Sequence, residues 1–374
     1  MSAKLHNDPP YPLMLSGLTL HYIHEKREEC GLLTENHKKR ITGTACENTK
    51  QKGGLFMRFV NRKVALVGTG LVGMSYAYAL LNQSVCDELA LIDIDQQRAQ
   101  GEAMDLNHGL AFSGSNMKIY AGRYQDCSDA DIVAVCAGVA QKPGESRIDL
   151  LQRNTEVFQS IVGPVVASGF KGIFLVATNP VDVMAHVTQA LSGFDDHRVL
   201  GTGTALDTAR LRYLLGEYFS VDPRNVHAYV MGEHGDSEFV PWSPGYGCPP
   251  SRFLDIFRSR GVTDYQKDLD HISEEVRNAA QKIISAKKST YYGIGMAMVR
   301  ITRAILGDDH SVLTVSSMLH GEYGERDVYA GTPCIVSRDG VKRTVELTLT
   351  PEEREKLHDS CELLRSVYRD IRGV

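Results

Sequence analysis

A histidine stands between two glycines in MGEHGDS, Met231 to Ser237, where an apolar run ends. An imidazole titrates near neutrality, so His234 can give a ligand a proton and take one back. It can equally be satisfied inside its own turn by Glu233 or Asp236. Asp207 and Arg210 are three residues apart, which places them on one face of a helix. They can pair with each other as a solvated salt bridge. Alternatively, Asp207 pairs with His234 and leaves Arg210 to grip a carboxylate. A second cation, Arg147, ends the Gly/Pro-containing stretch GVAQKPGESR, Gly138 to Arg147, which also carries the neutral amide Gln141. Such a stretch is either a solvated surface turn or a moving lid. As a lid it would bring Arg147 onto a bound ligand and let Gln141 select that ligand.

A different chemistry is written in GTGLVG, Gly68 to Gly73. Gly68 permits a tight turn, Gly70 lets the backbone approach a pyrophosphate, and Gly73 allows a helix to pack close to a strand. The N-terminus of that helix offers free N–H groups to phosphate oxygens. Asp93 ends the next strand-like run, 20 residues after Gly73. A carboxylate there accepts hydrogen bonds from ribose hydroxyls and repels the extra phosphate of NADP, so NAD is the expected cofactor.

These groups need a scaffold, and the pattern supplies one. Lys63–Val67, Glu88–Asp93, Met117–Tyr120, Asp131–Ala137, Gly172–Thr178 and Arg198–Gly201 read as strands. Helices are expected from the GTGLVG glycines to about Asn82, over Ile148–Ser168 and over Val181–Leu191. The βαβ alternation predicts an α/β fold, a Rossmann-type doubly wound parallel sheet with both faces covered. After Thr204 the pattern changes to an α+β half. A helix over Ala205–Tyr218 precedes a strand at His227–Met231 and a loop rich in Pro and Gly, Pro241–Pro250. Helices over Asp264–Tyr292 and Gly293–Leu306 and strands over Val312–Leu319 and Val328–Val336 follow. Thr350, before Pro351 and Glu353, is the expected N-cap of a last helix. The expected domains are an NAD-binding domain over 57–203 and a substrate domain over 204–374. Residues 1–56 show neither period, so they read as a disordered extension or as a mis-assigned start, with Met57 preferred as the true one.

Composition narrows the class. The chain has 374 residues, 43% of them hydrophobic and 23% charged, and a net charge of −5. That balance argues against a general affinity for nucleic acid or anionic membrane. No apolar run reaches the roughly 18 residues of a membrane span. Eight scattered cysteines without a CxxC pair fit a reducing cytoplasm and give no metal-site spacing.

In combination, GTGLVG, IDID, AGVAQKPGESR, TNPVD, LDTAR and GEHGDS resemble the NAD-dependent L-lactate/malate dehydrogenase family, in its bacterial-type lactate branch, from about Arg58 to Arg372. The resemblance implies reversible oxidation of (S)-lactate by NAD⁺ to pyruvate, the last step of fermentative glycolysis. It makes His234 the acid/base, Asp207 its orienting carboxylate, Arg210 the binder of the substrate carboxylate, and Arg147 the cation that polarises the carbonyl. It puts Asn179 of TNPVD beside nicotinamide and substrate, and Gly68, Gly70, Val72, Gly73 and Asp93 around the cofactor. Gln141 occupies the position that faces the substrate's variable group, where the malate branch has arginine, and Thr290 helps line that pocket. Arg212 and His227 match positions that bind fructose 1,6-bisphosphate between subunits in allosteric members, and a homotetramer is implied. The rival readings are a malate or broad 2-hydroxyacid dehydrogenase and, outside enzymes, a non-catalytic NAD-binding protein.

Overall fold

The computed structural model describes residues 62–139, 147–243, 261 and 265–371, with Arg147 and Ile148 through their backbone alone. The expectations for residues 1–56, the Met57 start, Gln141, the Arg147 side chain and Pro244–Arg260 lie outside the described residues.

Six short strands form a parallel array: β1 (Lys63–Val67), β2 (Glu88–Ile92), β3 (Lys118–Ala121), β4 (Ile132–Val135), β5 (Ile173–Val176) and β6 (Val199–Gly201). Their order is β3-β2-β1-β4-β5-β6, the doubly wound arrangement whose direction reverses between β1 and β4. In such sheets a ligand crevice opens beyond the carboxyl ends of the strands at that reversal, here above Val67 and Val135.

β4 and β5, and β1 after its first residue Lys63, are apolar because they are buried on both faces. Ala65, Val67, Val133, Val135, Phe174 and Val176 point into one core. Val64, Leu66, Ile132, Ala134, Ile173 and Leu175 point into the other. The first core is closed by α3 (Arg147–Ala167), through Leu151, Phe158, Ile161, Val162 and Val165, and by α4 (Val181–Ser192). The second is closed by α1 (Leu71–Gln83) and α2 (Gln96–Gly109). α2 was not marked in the sequence pattern; it buries only Ala99, Ala103 and Leu106, a faint apolar stripe.

The α+β half is continuous with this sheet. Strands β7 (Ser311–His320), β8 (Arg326–Ser337) and β9 (Gly340–Thr344) extend it antiparallel, with Gly201 of β6 paired to Ser316 of β7. α5 (Ala205–Phe219) and α6 (Tyr265–Lys287) pack through Leu211, Leu215 and Phe219 against Leu269, Ile272 and Val276, a third core. α7 (Tyr292–Leu306) lies so close to α1 that a Cβ on Gly295 would stand 2.9 Å from the backbone of Ser75. α8 (Pro351–Arg369) opens with the expected cap: Thr350 Oγ1 accepts from Glu353 N, and Glu353 Oε2 accepts from Thr350 N.

Two expectations are corrected. His227–Met231 is not a strand: only isolated bridges, Met231 to Phe239 and Gly232 to Gly331, occur there. Its backbone is satisfied by side chains instead, since Val230 N donates to Thr208 Oγ1 at 2.9 Å and Thr204 Oγ1 donates to Val230 O at 2.6 Å. The helix expected through Tyr292 ends at Lys287, because Lys288 takes a positive φ of 72°.

Candidate active site

The cofactor side is built by the first βα turn. Gly68 has φ +99°, and a Cβ on it would come within 2.5 Å of Ala137 N, where the β1 and β4 loops meet at the sheet reversal. A Cβ on Gly73 would collide with Gly68 O, so only glycine lets α1 begin this close to the strand. Gly70 faces open space, and as N-cap it leaves the first N–H groups of α1 without a side-chain acceptor. Val72, in the first turn of α1, is half-buried. The cradle therefore has the room and the donors for a pyrophosphate, and NAD fits it.

Asp93 closes this side. Its Oδ2 accepts from Thr69 N at 2.7 Å and Thr69 Oγ1 at 2.8 Å, and its Oδ1 accepts from Asp95 N at 3.0 Å. Burial raises its pKa, but these hydrogen bonds outweigh burial and hold it below the usual carboxylate range. Thr69 thus fixes the Asp93 carboxylate at the end of β2, a role no spacing rule announced.

Asn179 follows β5 at the tip of a cis Asn179–Pro180 peptide, its side chain exposed. Buried Asn154 of α3 ties this tip to the base of the Gly138 stretch: its Oδ1 accepts from Val139 N at 2.9 Å, and its Nδ2 donates to Asn179 O at 3.3 Å. Thr178 Oγ1 donates to Ala137 O at 2.8 Å. Both loops that face the crevice are therefore anchored to each other.

The His234 centre brings α5 against the loop that carries the histidine. Asp207 is buried, with 1% of its side chain exposed. Its Oδ2 lies 2.6 Å from His234 Nδ1, and its Oδ1 accepts from Arg210 NH1, also at 2.6 Å. The sequence posed these pairings as alternatives; the structure makes both at once. Glu233 is not the partner of His234, since its Oε2 accepts from Ser237 Oγ at 2.6 Å.

The loop itself is pinned from three elements. Glu233 N donates to Ser360 Oγ of α8 at 2.7 Å, His234 N donates to Asp182 Oδ2 of α4 at 2.8 Å, and Gly232 exchanges two 2.9 Å hydrogen bonds with Gly331 of β8. Asp182 is the fourth residue after Thr178 in the TNPVD segment, so the stretch that presents Asn179 also holds His234.

Burial opposes a charge on His234, but Asp207, then Asp182 and Glu238, overcome it and raise the imidazole to about 9. Burial also pushes Asp207 upward, yet His234 and Arg210 hold it below its ordinary value. At neutral pH the pair is an imidazolium against a carboxylate. Burial pushes Asp182 up to about 6. Two carboxyls near His234 were missed in the sequence reading, Asp182 and Glu238. The first lies in a motif read only for its asparagine, and the second reads as an ordinary charged residue four after the histidine.

The remaining expected residues are not gathered here by any hydrogen bond. Thr290 is half-buried between α6 and α7. Arg212 Nε donates to Ala228 O at 3.3 Å, next to exposed His227, on the far side of α5 from Asp207.

Comparisons with known proteins agree with this arrangement. A family model described as lactate/malate dehydrogenase, NAD binding domain, matches residues 62–201, and its alpha/beta C-terminal counterpart matches residues 204–372. The chain is 52% identical over 304 residues to an L-lactate dehydrogenase of Priestia megaterium, covering 81% of this chain and 95% of that one. It is 51% identical over 306 residues to the L-lactate dehydrogenase of Geobacillus stearothermophilus, covering 82% and 96%. Among solved structures, the minor L-lactate dehydrogenase of Enterococcus mundtii in its ligands-bound form superposes with a TM-score of 0.80 at 45% identity, covering 84% of this chain and all of that one. With its cofactor cradle, its His234–Asp207 pair and these two matched halves, the chain belongs to the lactate/malate dehydrogenase family, among the NAD-dependent L-lactate dehydrogenases.

Proposed function

We propose that this chain interconverts (S)-lactate and pyruvate, with His234 as the acid/base. The observation that carries the reading is Asp207 bonded at 2.6 Å to both His234 and Arg210. Bound NAD supplies the hydride chemistry at the substrate carbon. Asp207 fixes the ring through Nδ1, which leaves Nε2 to face the substrate oxygen. As imidazolium, His234 gives its proton to the ketone oxygen of pyruvate; as imidazole, it takes the proton from the hydroxyl of lactate. Arg210 uses one N–H on Asp207 and keeps the others of its planar fork for the substrate carboxylate. Arg147 polarises the carbonyl and stabilises the charge that grows on oxygen. Asn179 positions nicotinamide and substrate at the crevice, and Thr290 helps line the pocket for the substrate's methyl group.

Gln141 supports pyruvate over oxaloacetate. A neutral amide leaves a second carboxylate without a cation in a closed site, at a cost of several kcal/mol. NADH oxidation with pyruvate beside oxaloacetate tests this. The parent turns over pyruvate in preference, and Gln141→Arg moves the preference toward oxaloacetate by tenfold or more, about 1.4 kcal/mol. An unchanged preference contradicts the role of Gln141, and turnover of neither keto acid contradicts the activity.

Fructose 1,6-bisphosphate activates the enzyme at Arg212 and His227. Arg212 is held at the carbonyl next to His227, and a two-fold axis would present four cations to two phosphates. The assembly is a homotetramer. Exposed Leu71 and Tyr78 of α1, Tyr213 of α5, and Tyr292 and Met296 of α7 supply apolar surface for it. The same assay, run with and without the sugar bisphosphate, reads activation as a fall in the pyruvate KM. The five described cysteines are free and four are buried, which fits a cytoplasmic setting.

A further inference from the structure

Glu238 is 6% exposed, and neither of its carboxyl oxygens has a hydrogen-bond partner among the described residues. It follows His234 by four residues, and the Gly235 turn folds it back, with Glu238 N donating to Gly235 O at 3.3 Å. A carboxyl oxygen of Glu238, one of Asp207 and a ring nitrogen of His234 all lie within 4.8 Å of one another. A nearly buried carboxyl with no hydrogen bond of its own among the described residues, set beside a His234–Asp207 pair that is already complete, is costly to keep ionised. A Gln or Leu of similar volume would pack the same space without that cost, so the placement asks for a function.

We propose that Glu238 is a positioning residue of the proton-transfer centre. It is a carboxyl that is neutral when pyruvate reduction needs a free imidazolium, and that ionises at higher pH to keep His234 protonated. The inference rests on the acid/base role given to His234 above.

The charges around Glu238 fit this role. Asp207 and Arg210 face it from α5, His234 from its own loop, and Arg277 from α6, whose NH2 donates to Glu238 O at 3.3 Å. Burial, then the charge of Asp207, push Glu238 up to about 8, against the pull of His234, Arg210 and Arg277. Asp182 faces His234 from α4. Glu238 therefore loses its proton in the range where His234 would begin to lose its own. The negative charge gained holds the imidazolium in place, and the two titrations belong to the cluster as a whole.

The sign of the effect follows directly. An anion beside His234 raises the imidazole pKa, so removing the anion lowers it. In Glu238→Gln the alkaline limb of kcat/KM for pyruvate moves to lower pH by about one unit. The ratio of variant to parent kcat/KM then falls several-fold between pH 6.5 and pH 9. Glu238→Asp, which keeps the charge, recovers part of the limb. A ratio that does not change with pH overturns the proposal and leaves Glu238 a packing residue. If the parent itself shows no pyruvate turnover, the proposed activity is at fault rather than this inference. A second measurement needs no variant: with ¹³C-labelled glutamate in the intact chain, the Glu238 carboxyl titrates near pH 8, far above the ordinary glutamate range. An inflection in the ordinary glutamate range overturns the proposal even if the Gln variant fails to fold.

Discussion

At the residue scale the site turns on how many partners one carboxylate serves. Asp207 is the hub: buried, charged, and bonded through separate oxygens to His234, the proposed acid/base, and to Arg210, the proposed binder of the substrate carboxylate. Each bond explains a residue type. Asp207 must be an anion to hold an imidazolium, and the proposed mechanism asks for arginine at position 210 because a forked guanidinium can serve Asp207 and a substrate carboxylate together. Lysine has one ammonium and no fork. Arg210→Lys should therefore raise the pyruvate KM by about 10–100-fold, the 1.5–3 kcal/mol of a charged hydrogen bond, while the midpoint of thermal unfolding shifts little. A KM within twofold of the parent would show that Arg210 does not bind the carboxylate. Residue types and order left Asp207 a choice between His234 and Arg210; they did not show that it bonds both at once. Spacing along a helix puts Asp207 and Arg210 side by side without saying which third group arrives from 27 residues downstream. Asp182, Thr69 and Asn154 stayed hidden for a related reason, each acting on a residue distant in sequence, and Glu238 because a charged residue four after the histidine carries no sign of its burial.

At the element scale, two loop–helix junctions do most of the positioning. The first is the β1–α1 turn, whose backbone was legible because glycine spacing encodes backbone geometry directly, though the part of Thr69 in it was not. Gly73 has the least freedom, since any Cβ there meets Gly68 O. Gly73→Ala should push α1 away from β1, weaken NADH binding by tenfold or more, and lower stability by about 1–3 kcal/mol, the range for overpacked sites. Fluorescence titration of NADH and thermal unfolding check both; wild-type affinity would mean the cradle tolerates a longer turn. The second junction is the His234 loop, cross-pinned to α4, β8 and α8. Its sequence suggested the end of a strand. The backbone takes threonine hydroxyls from α5 instead of a neighbouring strand, and alternation of apolar residues cannot reveal that substitution. α2 was missed because alanines make a weak stripe, and β9 because its middle residues are charged and partly exposed.

At the scale of the whole molecule, one nine-stranded sheet carries both halves, and the β6–β7 pairing at Gly201 and Ser316 joins the NAD-binding half to the alpha/beta C-terminal half. The parallel half was legible strand by strand, since strands buried on both faces are continuous apolar runs. That the antiparallel strands continue the same sheet was not legible, because pairing between distant strands leaves no local pattern. The continuity brings together α4, which carries Asp182 just after the Asn179 tip, α5, which carries Asp207 and Arg210, and the loop with His234. Proton affinity at the centre is thus a property of the assembled fold. His234 is raised to about 9 only because Asp207 reaches it, with Asp182 and Glu238 adding their charge. The most direct test is the pH profile of kcat/KM for pyruvate in the parent and in Asp207→Asn. The account predicts that the parent keeps its rate up to about pH 9. The variant should lose the alkaline limb from near the ordinary histidine range and fall by about 10²–10⁴-fold at neutral pH, the usual worth of a placed acid/base. An alkaline limb at the same pH in both proteins would contradict it.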